Sequence, residues 1–179
     1  MRASAGEWPN HRVAGIVLAG GQNSRMGGLD KAFLRVGQRP IVEWTLELFR
    51  RVFPQIVVVS NAPEKYRHYD VDVVPDEFPG VGPLAGIHAG LGRIDCSHAF
   101  VAACDMPYLR AEPIEFLLRR LRQQEAIIPM WDGDLEPMHA LYARSLRPRI
   151  EVAVRRGVRG IREFLPEVDV EYVSEVELR

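Results

Sequence analysis

The sequence predicts an α/β fold built on a doubly wound, mostly parallel sheet with a small antiparallel hairpin. Two observations carry this reading. Short continuous apolar runs alternate with amphipathic helical patterns, and loops rich in glycine and polar residues follow the runs. Val13 to Ala19 is the first run, a strand buried on both faces. The polar, glycine-rich segment from Gly20 to Gly28 follows it. Pro40 to Val52 reads as a helix, with Ile41, Thr45, Leu48 and Val52 on one stripe and Glu43, Glu47, Arg50 and Arg51 off it. Ile56 to Val59 is a second buried strand ending in the turn Ser60–Pro63, and Val71 to Val74 is a short third.

Gly82-Pro83 opens a helix through Leu84, Ile87 and Leu91. Ala99 to Ala103 is another buried strand, stopped by Pro107. Glu112 to Gln123 is predicted helical, with Leu117, Leu118 and Leu121 facing inward and Arg119, Arg120 and Arg122 outward. Ala126–Trp131 and Met138–Tyr142 read as two strands flanking the turn signal Asp132-Gly133. The remainder is expected to be helical with a short extended tail. No repeat or linker interrupts the chain, so a single domain over residues 1–179 is expected.

Composition narrows the function classes. A formal net charge of −1, with 47% hydrophobic and 26% charged residues, asks for neither nucleic acid nor an anionic membrane. The early apolar run is too short to span a bilayer, and Met1 to Arg12 lacks a signal-peptide segment, so a cytoplasmic location is expected. The two cysteines, Cys96 and Cys104, match no zinc or redox spacing and read as reduced, buried thiols. Arg144, Arg147, Arg149, Arg155, Arg156, Arg159 and Arg162 crowd the C-terminal third. They form either a solvated helix face or an anion-binding wall.

Residues 18–31, Leu-Ala-Gly-Gly-Gln-Asn-Ser-Arg-Met-Gly-Gly-Leu-Asp-Lys, are the most informative stretch. Its four glycines, Gly20, Gly21, Gly27 and Gly28, let backbone N–H groups converge on one point, which suits a triphosphate. Arg25 and Lys31 add positive charge suited to a leaving pyrophosphate. The segment has neither the Gly-Lys-Ser/Thr ending of a P-loop nor the spacing of a dinucleotide-binding loop. A plain glycine-rich turn is the structural alternative. The chain has only two lysines, Lys31 and Lys65, among 23 basic residues. A lysine here, in a chain that otherwise uses arginine, favours a compact ammonium with chemical work to do.

These residues resemble the signature of the molybdenum cofactor guanylyltransferases, the MobA-type family of nucleotidyltransferases. Three later blocks are similar and in the same order: Gly82–Gly86, Cys104–Pro107 and Pro137–Tyr142. The resemblance spans roughly residues 13–165 and implies the Rossmann-like nucleotidyltransferase fold. The reaction it implies is attack by the terminal phosphate of molybdopterin on the α-phosphorus of GTP, releasing pyrophosphate. Leu18, Ala19, Gly20, Gly21, Lys31, Asn61, Asp76 and Gly82 are then the expected nucleotide contacts. Asp105 is the expected Mg²⁺ ligand, and Lys31, Arg25 and Asp105 the catalytic set. GTP and molybdopterin are the implied partners, with transient contacts to other molybdenum cofactor proteins. No residue is transferred for the pterin pocket.

Several of these residues have structural roles open to them. Asp105 suits either a magnesium ion at a strand's carboxyl end or a cap for the Met106-Pro107 turn. Asp76 suits either a polar turn or the N–H edge of a guanine. Asn61 is turn-forming by nature. Gly82 to Gly86 serves an anion or base carbonyl at a helix start, close helix–sheet packing, or both. His139 reads as a satisfied strand histidine, and Asp132 and Asp134 as turn residues. The rival functions are a nucleotidyltransferase using CTP or a sugar phosphate, and a non-catalytic nucleotide-binding module.

Overall fold

The computed structural model describes residues 13–19 and 31–178. Gly20, Gly21 and Arg25 of the anticipated site lie outside the described residues. β1 (Val13–Leu18) is buried along its whole length. It pairs in parallel with β4 (Ile56–Val59) on one side and β6 (His98–Ala103) on the other. β5 (Asp72–Val74) extends the sheet beyond β4, also in parallel. Strands buried on both faces need helices on both, and the apolar helix stripes supply them.

α1 (Ile41–Val52) buries Ile41, Val42, Thr45, Leu46, Leu48, Phe49 and Val52. It stops at Phe53, extended at φ −117°, ψ 140°, because Pro54 disfavours a helical residue before it. Phe49 and Phe53 meet Phe100 of β6 at ring-centroid distances of 5.9 and 5.8 Å, which locks α1 to one face of the sheet. α3 (Ala111–Arg120) joins α1 on that face through Ile114, Leu117 and Leu118. α2 (Pro83–Arg93) covers the opposite face with Leu84, Ile87 and Leu91. α4 (Arg147–Arg155) and the single turn α5 (Ile161–Phe164) pack on the α2 side through Ile150, Ala153, Val154 and Phe164.

The antiparallel part is larger than the sequence suggests. Asp132 (φ 50°) and Gly133 (φ 81°) do form a tight turn. It joins β7 (Ala126–Trp131) to the two-residue β8 (Asp134–Leu135), because so abrupt a reversal pairs the residues next to it. β9 (His139–Ala143) follows after three intervening residues and inserts between β7 and β6, antiparallel to both. The expected extended tail is β10 (Val170–Ser174), an edge strand parallel to β7, followed by one turn of helix, α6 (Glu175–Leu178). The sheet order is β10-β7-β9-β6-β1-β4-β5, with β8 on β7. A separate ribbon of β2 (Arg35–Val36) and β3 (Arg39–Pro40) precedes α1.

Candidate active site

Sheet register brings the anticipated residues to one edge. Leu18 stands between Val59 and Ala103, and Val59 stands beside Val74. The chain therefore leaves four neighbouring strands side by side, at Ala19, Ser60-Asn61, Pro75-Asp76 and Cys104-Asp105. Ligands of doubly wound sheets bind at this carboxyl edge. From β5 to β6 is three strand spacings, roughly 14 Å, which is on the scale of an extended nucleoside triphosphate. Leu18 and Ala19 are buried, at 5% and 6% exposure, so they offer a ligand backbone rather than side chain. Their backbone is tied down: Cys104 N–H donates to the Leu18 carbonyl at 3.0 Å and Ala19 N–H to the Val59 carbonyl at 2.9 Å.

At one end of the edge, Lys31 opens a 3₁₀ turn (Lys31–Phe33) anchored by the buried Ala32. Its Nζ donates to Asp105 Oδ2 at 3.2 Å across 74 positions of sequence. Both side chains are nearly half exposed, at 46% and 40%. At the other end, Asp76 N–H donates to Asn61 Oδ1 at 2.9 Å, and Phe78 N–H donates to Asp76 Oδ1 at 2.8 Å. Ser60, buried at 4% exposure, accepts from Ala62 N–H at 3.2 Å through its Oγ. Asn61 and Asp76 thus belong to one hydrogen-bonded unit, although 15 residues separate them.

Gly82 completes the edge as the residue before α2. Its φ of 95° is a conformation L side chains rarely adopt, and Pro83 occupies the first helical position. Gly82 has no side chain with which to cap α2, so the helix's N-terminal backbone donors stand at the edge. One turn later the helix comes close to β1: a Cβ on Gly86 would stand 3.1 Å from Leu18 Cδ2. Tight packing and a helix N-terminus at the edge therefore coexist.

Residues 15–172 match the model of the MobA-like NTP transferase domain. The chain belongs to that family. A molybdenum cofactor guanylyltransferase from Syntrophotalea carbinolica is 36% identical over 166 residues, covering 92% of this chain and 79% of the relative. A probable molybdenum cofactor guanylyltransferase from Peptoclostridium acidaminophilum is 33% identical over 171 residues, covering 92% and 77%. The crystal structure of molybdopterin-guanine dinucleotide biosynthesis protein A from Archaeoglobus fulgidus superposes with a TM-score of 0.80 at 32% identity, covering 93% of this chain and 85% of that one. As a member of the MobA-like family the chain is a nucleotidyltransferase. Enzymes of this class generally use a divalent metal ion.

Other expectations resolve differently within this MobA-like domain. His139 is indeed a strand residue, opposite Ala102 in register, but it is not satisfied. Its Nε2 is buried without a hydrogen-bond partner among the described residues, its ring lies edge-on to Phe100 at 5.0 Å, and burial lowers its pKa to about 4. Much of the C-terminal arginine cluster is neutralised within the fold. Arg147 pairs with Glu77 at 3.1 Å, Arg149 with Glu125 at 2.6 Å, Arg155 with Glu151 at 2.8 Å and Arg162 with Asp134 at 3.4 Å. Three of those carboxylates come from distant sequence. Asp132 and Asp134 are turn residues as expected. Cys96 and Cys104 are free thiols, each only partly buried. No helix among the described residues is long and apolar enough to cross a membrane.

Sequence reasoning passed over His88. It is fully buried in α2, beside Leu84, Ile87 and Leu91, and neither ring nitrogen makes a hydrogen bond among the described residues. A polar residue inside an apolar helical stripe was the available signal.

Proposed function

We propose that this chain transfers GMP from GTP to the terminal phosphate of molybdopterin, releasing pyrophosphate and forming molybdopterin guanine dinucleotide. The observation that carries the reading is the Lys31–Asp105 pair at the carboxyl edge, a cation and an anion in contact where a triphosphate can lie between neighbouring strand ends. The relatives' shared name supports guanine as the base and molybdopterin as the acceptor. One domain over residues 1–179 suffices for the reaction. A cytoplasmic, reducing setting fits its two free thiols.

In the reaction an acceptor phosphate oxygen bonds to the α-phosphorus of GTP while the bond from that phosphorus to the bridging oxygen breaks. The leaving group is pyrophosphate, and no covalent enzyme intermediate is needed. Leu18 and Ala19, their backbone held by β4 and β6, form the floor under the nucleotide, and the α2 start at Gly82 offers backbone N–H groups to the phosphates and the base. Gly20 and Gly21 are assigned to the same phosphate contacts. Lys31 and Arg25 offset the negative charge that grows on the departing pyrophosphate. Asp76 accepts from the guanine N–H edge, and Asn61 holds the Asp76 backbone in place for it.

Mg²⁺ fits the residues present. The exposed Asp105 carboxylate already holds a cationic group, the Lys31 ammonium. No group of three or more acidic, histidine or cysteine side chains among the described residues could hold a metal unaided. One carboxylate supplemented by triphosphate oxygens and water is an ordinary magnesium environment. Bound there through Asp105, Mg²⁺ supplies charge neutralisation and alignment of the phosphates.

Nucleotide competition tests the base assignment. GTP should displace a fluorescent guanine nucleotide at least ten-fold better than ATP, CTP or UTP, the discrimination expected of about one unmatched hydrogen-bond pair. Equal displacement by CTP would favour a cytidylyltransferase on the same fold.

A further inference from the structure

His88 stands on α2 directly behind the Asp76–Phe78 turn. Its Nδ1 lies 3.9 Å from Glu77 Oε2 and its Nε2 lies 3.8 Å from Glu151 Oε2, both beyond hydrogen-bond range. The Phe78 ring packs against the imidazole at 5.1 Å with an interplanar angle of 66°, and Arg155 covers the same phenyl ring at 5.7 Å. Glu77 is gripped from α4 by Arg147 Nη2 at 3.1 Å, and the Arg147 Nε is itself buried without a partner. One fully buried imidazole therefore faces two carboxylates from two elements, beneath the turn that carries Asp76.

Folding alone does not account for it. Every other residue of α2 from Leu84 to Leu91 is a buried apolar residue or glycine, and a leucine at position 88 would bury no unpartnered polar atom. Burial, then the Arg147 charge, lower the His88 pKa, against the smaller opposing pull of Glu77, Glu151 and Asp76. A neutral imidazole carries one N–H, so it can donate to Glu77 or to Glu151 but not to both. A shift of under about 1 Å closes either contact to hydrogen-bond length.

We propose that His88 is a positioning residue for base recognition: it holds the Asp76–Phe78 turn through Glu77 and Phe78, and so sets where the Asp76 carboxylate meets the base. The proposal rests on the reading of Asp76 as the guanine contact. His88 touches no nucleotide and takes no part in the phosphate chemistry at Lys31 and Asp105.

The test is steady-state kinetics and melting temperature for His88→Leu, His88→Gln and Glu77→Gln, with GTP and CTP as alternative donors. His88→Leu keeps the apolar packing, so its melting temperature should match or exceed the wild type. Its KM for GTP should rise about ten-fold, with kcat within two-fold and the preference for GTP over CTP reduced by a similar factor. His88→Gln, which returns an N–H donor to the space facing Glu77, should recover most of that loss. Glu77→Gln is exposed and safe for folding, and it should reproduce the KM-only change should His88→Leu fail to fold. Unchanged KM and base preference in the folded variants would overturn the positioning role. Equal loss with GTP and CTP, carried in kcat, would overturn it too. A wild-type enzyme that uses CTP as well as GTP would instead overturn the functional reading itself, so the two failures are distinguishable.

Discussion

The two ends of the carboxyl edge are built in opposite ways. At the phosphate end, Lys31 and Asp105 meet through a single ion pair at 3.2 Å between half-exposed side chains. Such a pair contributes at most about 1 kcal/mol to folding and is easily exchanged for another partner. At the base end, Asn61, Asp76 and Phe78 are joined by hydrogen bonds of 2.9 and 2.8 Å and backed by the buried His88. The base contact proposed for Asp76 is thus set by folding, whereas the phosphate contacts proposed for Lys31 and Asp105 are free to reorganise around a triphosphate and a metal. Substitutions at the first end should therefore alter rate, and those at the second should alter affinity and base choice.

The largest effect is expected at Asp105. Asp105→Ala should lower turnover by more than about three powers of ten, since it removes the carboxylate proposed to hold the metal. Asp105→Asn should weaken apparent magnesium affinity while the melting temperature stays near wild type. Near-normal activity of Asp105→Ala at ordinary magnesium would place the metal elsewhere and break the comparison.

Lys31 comes next. Lys31→Ala should reduce kcat by about two to four powers of ten, typical of one lost transition-state electrostatic contact. Lys31→Arg should recover little of it, because a planar guanidinium does not reproduce a compact ammonium. Melting temperatures of both variants should barely move, as befits an exposed pair. A Lys31→Ala enzyme with normal kinetics would return the residue to a purely surface role.

At the base end the expected effect is smaller and of a different kind. Asn61→Ala strips the acceptor from Asp76 N–H and should raise the KM for GTP about ten-fold at nearly constant kcat. A loss confined to kcat would show that the two ends are not separable as described.

These contrasts bear on what the sequence could disclose. The strands were legible because Val13–Leu18, Ile56–Val59 and Ala99–Ala103 are uninterrupted apolar runs, and α1 because its stripe has a clean helical period. The residues proposed for the phosphate end stand out in the sequence as a contiguous block, 18–31, and as Asp105 after a buried strand. The connections do not. Lys31 reaches Asp105 across 74 residues, and Asn61 reaches Asp76 because β4 and β5 end side by side. Sheet neighbourhood is a tertiary property, which is also why the insertion of β9 between β6 and β7 escaped the pattern. The arginine cluster has only Glu151 beside it in sequence for the same reason: its other partners Glu77, Glu125 and Asp134 come from elsewhere in the chain.

The smallest effect concerns neither end but the sheet beside them. The folded-state pKa of His139 is lowered to about 4 by burial, from an unfolded value near 6.5. The unfolded chain therefore binds the proton first on acidification. The associated stability is complete above about pH 6.5 and is lost as the pH falls toward 4. Between pH 7 and pH 5 that amounts to about 2 kcal/mol. His88 and His98, whose pKa values burial also lowers, add to the loss in the same direction. His139→Leu should flatten the acid limb by about that amount in denaturant titrations, without loss of stability at pH 7. An unchanged acid limb would show that the imidazole finds a partner in the folded protein.

Guanylyl transfer to a phosphorylated pterin is open to direct product analysis. The enzyme, Mg²⁺, molybdopterin and GTP labelled at the α-phosphate would be incubated together and the labelled products separated. Label should pass into molybdopterin guanine dinucleotide with one pyrophosphate released per transfer, and equally labelled CTP should react at least ten-fold more slowly. Label that stays in GTP while CTP yields the dinucleotide at an equal or faster rate would contradict guanylyl transfer.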